Sequence, residues 1–333
     1  MARTANQSDV ARAAGVSVST VSRALSNARG ISSELRSQIQ GLARELGYQA
    51  RGTSVPVERL VRAYVTVNLM NGGLVAFYSA LVDGLRASAA ANGLEIEVKL
   101  VRQGLDSQRI LRDEDEGASA ASLIVGLDLT PDLADSFGPE RPVVLVNTFD
   151  PQMRFDCVAP ANFYGGVQAT QQLIAAGHRH LLHIREQNRW TTKQREYGFM
   201  NAVAATSGAT GETLDIREDG DAVLAAAAQA KAGGTARWTG VFAVHDNAAI
   251  RFIHALEEAG LRVPRDVSVV GFDDLPAASM MSPRLSTMRV DTEAIAQQGI
   301  ELLLRRLADP EATPLQVECG VREVAGASIL QIS

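Results

Sequence analysis

The chain of 333 residues is poor in the features that staple, anchor or export a protein. Cys157 and Cys319 are its only two cysteines, too few and too far apart for a disulfide framework or a zinc-ligand spacing, and both are expected as buried thiols. No apolar run approaches the ~18 residues that cross a bilayer. The polar first residues lack the hydrophobic segment of a signal peptide, so a cytoplasmic protein with no membrane partner is expected. Enzyme signatures are missing too: there is no G-x-S-x-G elbow, no Walker phosphate loop, and no G-x-G-x-x-G between a strand and a helix. No catalytic residue and no cofactor is therefore assigned.

What is present is 46% hydrophobic and 21% charged, the balance of a soluble globular protein with room for two or three domains. Its charge is unevenly spread. Residues 1–62 hold nine arginines, no lysine and four acids, a balance of +5, within a chain whose net charge is −6. A basic head on an acidic body directs the head toward a polyanion.

Asp9 to Asn27 is the most informative stretch. It holds two short helical patterns, Val10 to Ala14 and Val18 to Leu25, joined at Gly15-Val16-Ser17. Glycine closes the first helix in a left-handed conformation, and Ser17 stands where an N-cap belongs. With Val10, Ala14, Val16, Val21 and Leu25 inward, the second helix projects Val18, Ser19, Ser22 and Arg23 outward, a surface that fits a DNA major groove. An ordinary αα-hairpin is the bland alternative. Ser32 caps a third helix with Leu35, Ile39, Leu42 and Leu46 on one face, ended by Gly47. Residues 1–48 are thus a helix-turn-helix head and 49–62 a linker.

From residue 63 onward, apolar runs alternate with amphipathic stretches. Strands are expected near 63–69, 94–101, 121–126, 142–147, 180–184, 213–216, 240–244 and 267–272, with helices between them, including 105–116. Repeated βα units imply parallel sheets covered on both faces, here in two doubly wound α/β lobes. A last helix near 292–307 precedes β-like runs at 315–321 and 327–332, where the chain is expected to cross back between lobes. Lobe 1 is assigned to about 63–160 plus 291–320, and lobe 2 to about 161–290 plus 321–333.

Ligands of open α/β sheets bind beyond the carboxyl ends of the strands. Phe77, Tyr78, Asp128, Asn147, Trp190, Arg195, His245, Asp246, Asp273 and Asp274 fall there. Aromatic faces, amides, carboxylates and a guanidinium suit a small polyhydroxylated molecule. Bland roles compete: Asp273-Asp274 as a loop cap, Phe77 and Tyr78 as core, Arg195 in an ion pair. His178, His180 and His183 do not make a metal site, since on a strand the third points away from the other two.

Asp9-Val10-Ala11 through Gly15-Val16-Ser17-Val18-Ser19-Thr20-Val21-Ser22-Arg23 resembles the DNA-binding head of the lactose repressor (LacI/GalR) family. Gly177-His178-Arg179, Arg195-x-x-Gly198-Phe199, Gly271-Phe272-Asp273-Asp274 and Pro283-x-Leu285-Ser286-Thr287 continue the match along the body. The resemblance implies a transcription regulator, usually a repressor, with a periplasmic-binding-protein-like body and three crossovers between its lobes. It further implies a homodimer or a tetramer that binds a near-palindromic double-stranded DNA operator under control of a carbohydrate-like effector. Val18, Ser19 and Arg23 match base-reading positions. Ser17, Thr20, Ser22 and Ser26 match phosphate contacts, and Tyr48 matches a tyrosine that approaches the backbone. Phe77, Tyr78, Asn147, Arg195, His245 and Asp273 match effector contacts. The family's minor-groove leucine falls on Val57, with Leu60 on a helix starting at Pro56 as the alternative; Gly52 and Pro56 depart from the usual hinge, and Ser26 and His245 stand where asparagine is usual. A solute-binding receptor without DNA regulation, or a sugar-modifying enzyme using Asp273, are the competing readings.

Overall fold

The protein is described by a computed structural model covering residues 7–25, 32–45, 59–66, 74–102, 110, 119–137, 141–186, 189–216 and 220–332. The chain divides into two compact units, residues 1–57 and 58–333. Ser26, Tyr48, Val57 and most of the linker lie outside the described residues, as do the side chains of Ser22 and Leu25 and, Ile110 apart, the expected helix 105–116.

The first unit contains α1 (Gln7–Ala14), α2 (Val18–Leu25) and α3 (Ser33–Glu45). Gly15 adopts φ +67°, and the Val16 N–H donates to the Ala11 carbonyl at 3.1 Å, which stops α1. Ser17 Oγ then accepts from the Thr20 N–H at 3.1 Å and starts α2. The helices close over Val10, Ala11, Val21, Ala24, Ile39 and Ala43, with Ala14, Val16 and Leu35 at the margin.

The second unit opens with β1 (Leu60–Thr66), α4 (Leu74–Ala91), β2 (Glu95–Val101), β3 (Ala121–Val125), α5 (Pro131–Ser136), β4 (Val143–Val146) and β5 (Asp156–Pro160). It continues through α6 (Asn162–Ala175), β6 (His180–Arg185), α7 (Trp190–Ala204), β7 (Thr210–Asp215), α8 (Gly220–Ala232), β8 (Gly240–Ala243), α9 (Asp246–Glu258), β9 (Ser268–Val270) and α10 (Pro276–Met280). Finally come β10 (Thr287–Arg289), α11 (Thr292–Ala308), β11 (Gln316–Cys319) and β12 (Arg322–Val324). The first sheet runs β11-β5-β4-β3-β1-β2 and the second β7-β6-β8-β9, all pairs parallel. β3 and β4 are buried along their whole length, as apolar runs covered on both faces must be. The chain passes between lobes after β5, after β10 and after β11, so α11 packs on α4, β4 and β5 of the first lobe.

Several elements depart from expectation. β1 begins at Leu60, paired with Glu95, so Leu60 is a strand residue and not a wedge on a hinge helix. β5 was not expected, because a buried Asp156 opens it and Pro160 ends it; Arg305 and Arg306 neutralise that carboxylate at 3.1 and 2.7 Å. The run 327–332 forms no strand. There the Val269 N–H donates to the Ser328 carbonyl at 2.9 Å, Ser328 Oγ donates to the Val269 carbonyl at 2.6 Å and Ser268 Oγ accepts from Leu330 N–H at 2.9 Å, so serine side chains share with isolated main-chain bonds the work of a ladder. Cys157 is buried, and burial pushes its thiol up to about 12; Cys319 is half-buried. Among the described residues no helix is long and apolar enough to cross a membrane.

Candidate functional site

On α2 of the first unit, Val18, Ser19 and Arg23 are exposed, Val18 to 43%. Ser17 Oγ lies 2.8 Å from both the Ser19 and the Thr20 hydroxyl, so the first turn presents a row of small hydroxyls beside a valine methyl pair. Val21, next to Thr20 in the chain, faces the core and sets the rotation of the helix.

In the second unit, Phe77, Tyr78, Asn147, Arg195, His245 and Asp273 line one cavity, together with Arg189, Thr191 and Thr192. The first lobe supplies Phe77 and Tyr78 from α4 and Asn147 from the end of β4; the second supplies the rest from α7 and the ends of β8 and β9. Two strand ends are conformationally unusual. Asn147 has φ 54° and Asp273 φ 106°, sparsely populated values for residues with a Cβ, and both aim at the cavity.

Arg195 is the best-held cation. Its Nε donates to Asn162 Oδ1 at 2.9 Å, Nη1 to the Val244 carbonyl at 2.7 Å and Nη2 to Asp273 Oδ1 at 3.1 Å, while its guanidinium sits 3.7 Å over the Phe272 ring. The expected competition between ligand contact and ion pairing thus has a structural side: Arg195 and Asp273 are a buried pair. Burial pushes the Asp273 carboxyl up and the Arg195 guanidinium down, against their mutual attraction.

His245 caps α9, its Nδ1 accepting from the Ala248 N–H at 3.1 Å. That fixes the tautomer, so Nε2–H donates to Glu186 Oε2 at 2.5 Å. Asp246 turns away from the cavity. It accepts from Thr287 Oγ1 at 2.5 Å and Leu275 N–H at 2.7 Å, and burial raises its carboxyl well above the ordinary range. Asp274 accepts from Arg289 Nε at 2.6 Å, also off the cavity.

Trp190 does not line the cavity. Its ring stacks on Phe149 with centroids 4.7 Å apart, and its backbone N–H donates to Asp128 Oδ2 at 3.0 Å, so it joins the lobes at the cavity's edge. Its neighbour Arg189, which sequence reasoning missed, enters the cavity. Nη1 donates to Tyr78 Oη at 2.7 Å and Nη2 to the Asn147 carbonyl at 2.8 Å. Thr191 and Thr192 were missed with it; all three sit on the first turn of the helix that carries Arg195, which was the available signal.

The matched motifs have physical reasons here. A Cβ on Gly271 would meet Asp246 Oδ1, one on Gly166 the Arg195 carbonyl, and one on Gly198 the Phe163 carbonyl, each at under 2.5 Å. These glycines let α6, α7 and the β9 end close around the Arg195 shelf. The three histidines go separate ways: His178 to Thr239 Oγ1 at 2.8 Å, His180 to Thr210 Oγ1 at 2.7 Å, and His183 to the Phe242 carbonyl at 3.0 Å.

Comparison with known proteins points one way. The model of bacterial regulatory proteins of the lacI family matches residues 8–50, and that of the periplasmic binding protein-like domain matches residues 170–329. The chain is 28% identical over 308 residues to the HTH-type transcriptional regulator GalS of Salmonella typhimurium strain LT2, covering 90% of this chain and 89% of that protein. It is 26% identical over 336 residues to the ribose operon repressor of Haemophilus influenzae, covering 96% and 98%. Among solved structures it is similar to a complex of the transcriptional regulator CelR with cellobiose, at 24% identity and TM-score 0.71, covering 97% of this chain and 99% of that one. It is likewise similar to the Lac repressor bound to ONPG in the repressed state, at 20% identity and TM-score 0.72, covering 98% and 100%.

Proposed function

We propose that this chain is a member of the lacI family of bacterial regulatory proteins and that it represses transcription from an operator whose affinity is set by a sugar-like molecule held between its lobes. It is a DNA-binding transcriptional regulator. In our reading Arg23 hydrogen-bonds a guanine edge, Val18 and Ser19 discriminate by methyl and hydroxyl contact, and Ser17, Thr20, Ser22 and Ser26 bind phosphate, with Tyr48 and Val57 adding backbone and minor-groove contacts.

One observation carries the effector half: six side chains chosen from positions spread over residues 77–273 line a single cavity between the lobes. As it stands that cavity has a volume of about 20 Å3, little more than one water needs. A sugar therefore enters only if the lobes move apart, and a ligand that favours one lobe arrangement shifts the regulator between states. A coupling of about 1–3 kcal/mol suffices for a useful switch. Against a sugar-modifying enzyme stands the need for an acid and a base: Asp273 is the one carboxylate lining the cavity among the described residues, and it is paired to Arg195.

A homodimer is part of the proposal. On the first lobe a groove of about 390 Å3 runs between α4 and β2, lined by Val75, Val82, Val98 and Leu100, with Val75 and Leu100 exposed by 56% and 58%. An apolar groove at a sheet edge supports a second copy there.

The test begins by selecting a duplex from a random pool with the purified full chain, then measuring its affinity with and without sugars. The expected result is sequence-specific binding that at least one cavity ligand shifts about fivefold or more. Failure to select any duplex favours a plain receptor, and selection with no ligand effect removes the switch.

A further inference from the structure

Arg189 carries a charge that its surroundings match only loosely, through one ion pair made without a hydrogen bond. The residue is 8% exposed, and two of its three nitrogens donate to neutral acceptors, the Tyr78 oxygen and the Asn147 carbonyl. Among the described residues the nearest carboxylate is Asp128, 3.8 Å away. Asp128 is already committed, its two oxygens accepting from Thr148 Oγ1 at 2.9 Å and the Trp190 N–H at 3.0 Å. Among the described residues Arg189 Nε is buried with no acceptor, and Asn147 Oδ1, on the opposite wall, is buried with no donor.

Arg195 makes the contrast. All its nitrogens are used, and Asp273 balances its charge. The imidazole of the wall, His245, is tied to Glu186, which Arg251 holds in turn at 3.0 Å. The cavity wall therefore presents two guanidiniums and one carboxylate; Asp273 pairs closely with Arg195, whereas Arg189 has only Asp128, behind the wall and 3.8 Å away. A buried guanidinium with a vacant Nε–H is a fork for a planar anion, since Nε and a neighbouring Nη grip a carboxylate through two parallel bonds. A neutral sugar hydroxyl satisfies one donor and adds no charge to the long pair with Asp128, whereas a carboxylate does both.

We infer that the ligand is a polyhydroxylated carboxylic acid, a hexonate or hexuronate, whose carboxylate replaces the Tyr78 oxygen and the Asn147 carbonyl on Arg189. Its hydroxyls then meet Asn147 Oδ1, Asp273 and the two threonines. This rests on the cavity being the effector site.

The test titrates the full chain by calorimetry with D-gluconate, D-galactonate, D-glucuronate and D-galacturonate, each against its neutral counterpart D-glucitol, galactitol, D-glucose or D-galactose. At least one acid is expected to bind about tenfold or more tighter than its neutral counterpart, the worth of a charge-assisted pair. Arg189→Gln is expected to erase that preference. Asn147→Asp, which keeps a residue type that tolerates positive φ and places a carboxylate beside Arg189, is expected to lower acid affinity about tenfold or more and serves if the first variant does not fold. Acids that bind no better than their counterparts, a preference that survives both variants, or silence from all four acids overturns the inference. Binding of a neutral sugar alone sinks this inference and leaves the effector site standing; silence from acids and neutral compounds together counts against both.

Discussion

The two surfaces through which this regulator is proposed to meet other molecules are built in opposite ways. On α2 the side chains at the reading surface stand exposed, and their removal takes little from the core formed by Val10, Val21 and Ile39. In the cavity Arg195, Asp273, His245 and Asn147 are between 3% and 7% exposed and already engaged with the protein. The lesson is that recognition and stability are separable in the head and fused in the body.

The largest test of that contrast is Arg195→Ala. It strands a buried Asp273 carboxylate and is expected to remove about 3–5 kcal/mol of stability, read by urea unfolding of the full chain. Arg23→Ala should change unfolding by no more than about 0.5 kcal/mol yet weaken operator binding by about 1–3 kcal/mol and relax preference at one base pair. If Arg23→Ala kept both affinity and preference, α2 would not be the reader. Equal destabilisation by the two variants would erase the distinction itself.

A third test sharpens it through pH. His183 is buried between Phe199 and Phe242, and burial holds its imidazole neutral down to about 3, below the ordinary 6.5. The unfolded chain takes up that proton first as acid is added. The stability is thus complete above about pH 6.5 and lost progressively toward pH 3, by about 2 kcal/mol at pH 5. Melting curves of wild type and His183→Phe at pH 7 and 5 should differ by that amount, with the variant flatter. The smallest effect is expected from Ser17→Ala, which removes the cap of α2 and about 1 kcal/mol from the head, seen as faster amide exchange over residues 18–25.

Those magnitudes follow the range over which each part of the sequence could be read. Gly15 and Ser17 act on neighbours within a few residues, so the turn of the head was plain, and β3 and β4, apolar but for Ser122, announced a covered sheet. β5 was hidden because what stabilises its Asp156 is a pair of arginines on α11, far along the chain. Six of the ten residues expected at the strand ends line the cavity, because strand ends are set by topology, which the βα repeats disclosed. Trp190 fell outside and Arg189 inside for a reason no local pattern carries: adjacent residues at a helix start point about 100° apart, and only Phe149 and Tyr78 on the other lobe decide which one goes where.

The triple passage of the chain between the lobes limits what kind of signal the body can send. A single connecting segment would let the halves wander like beads on a thread, whereas three side by side resist sliding and leave rocking as the soft direction. It also provides redundancy. A protease nick at Gly320, on the third passage, leaves two intact tethers, so the cut molecule should travel as one particle while its lobes acquire a looser joint.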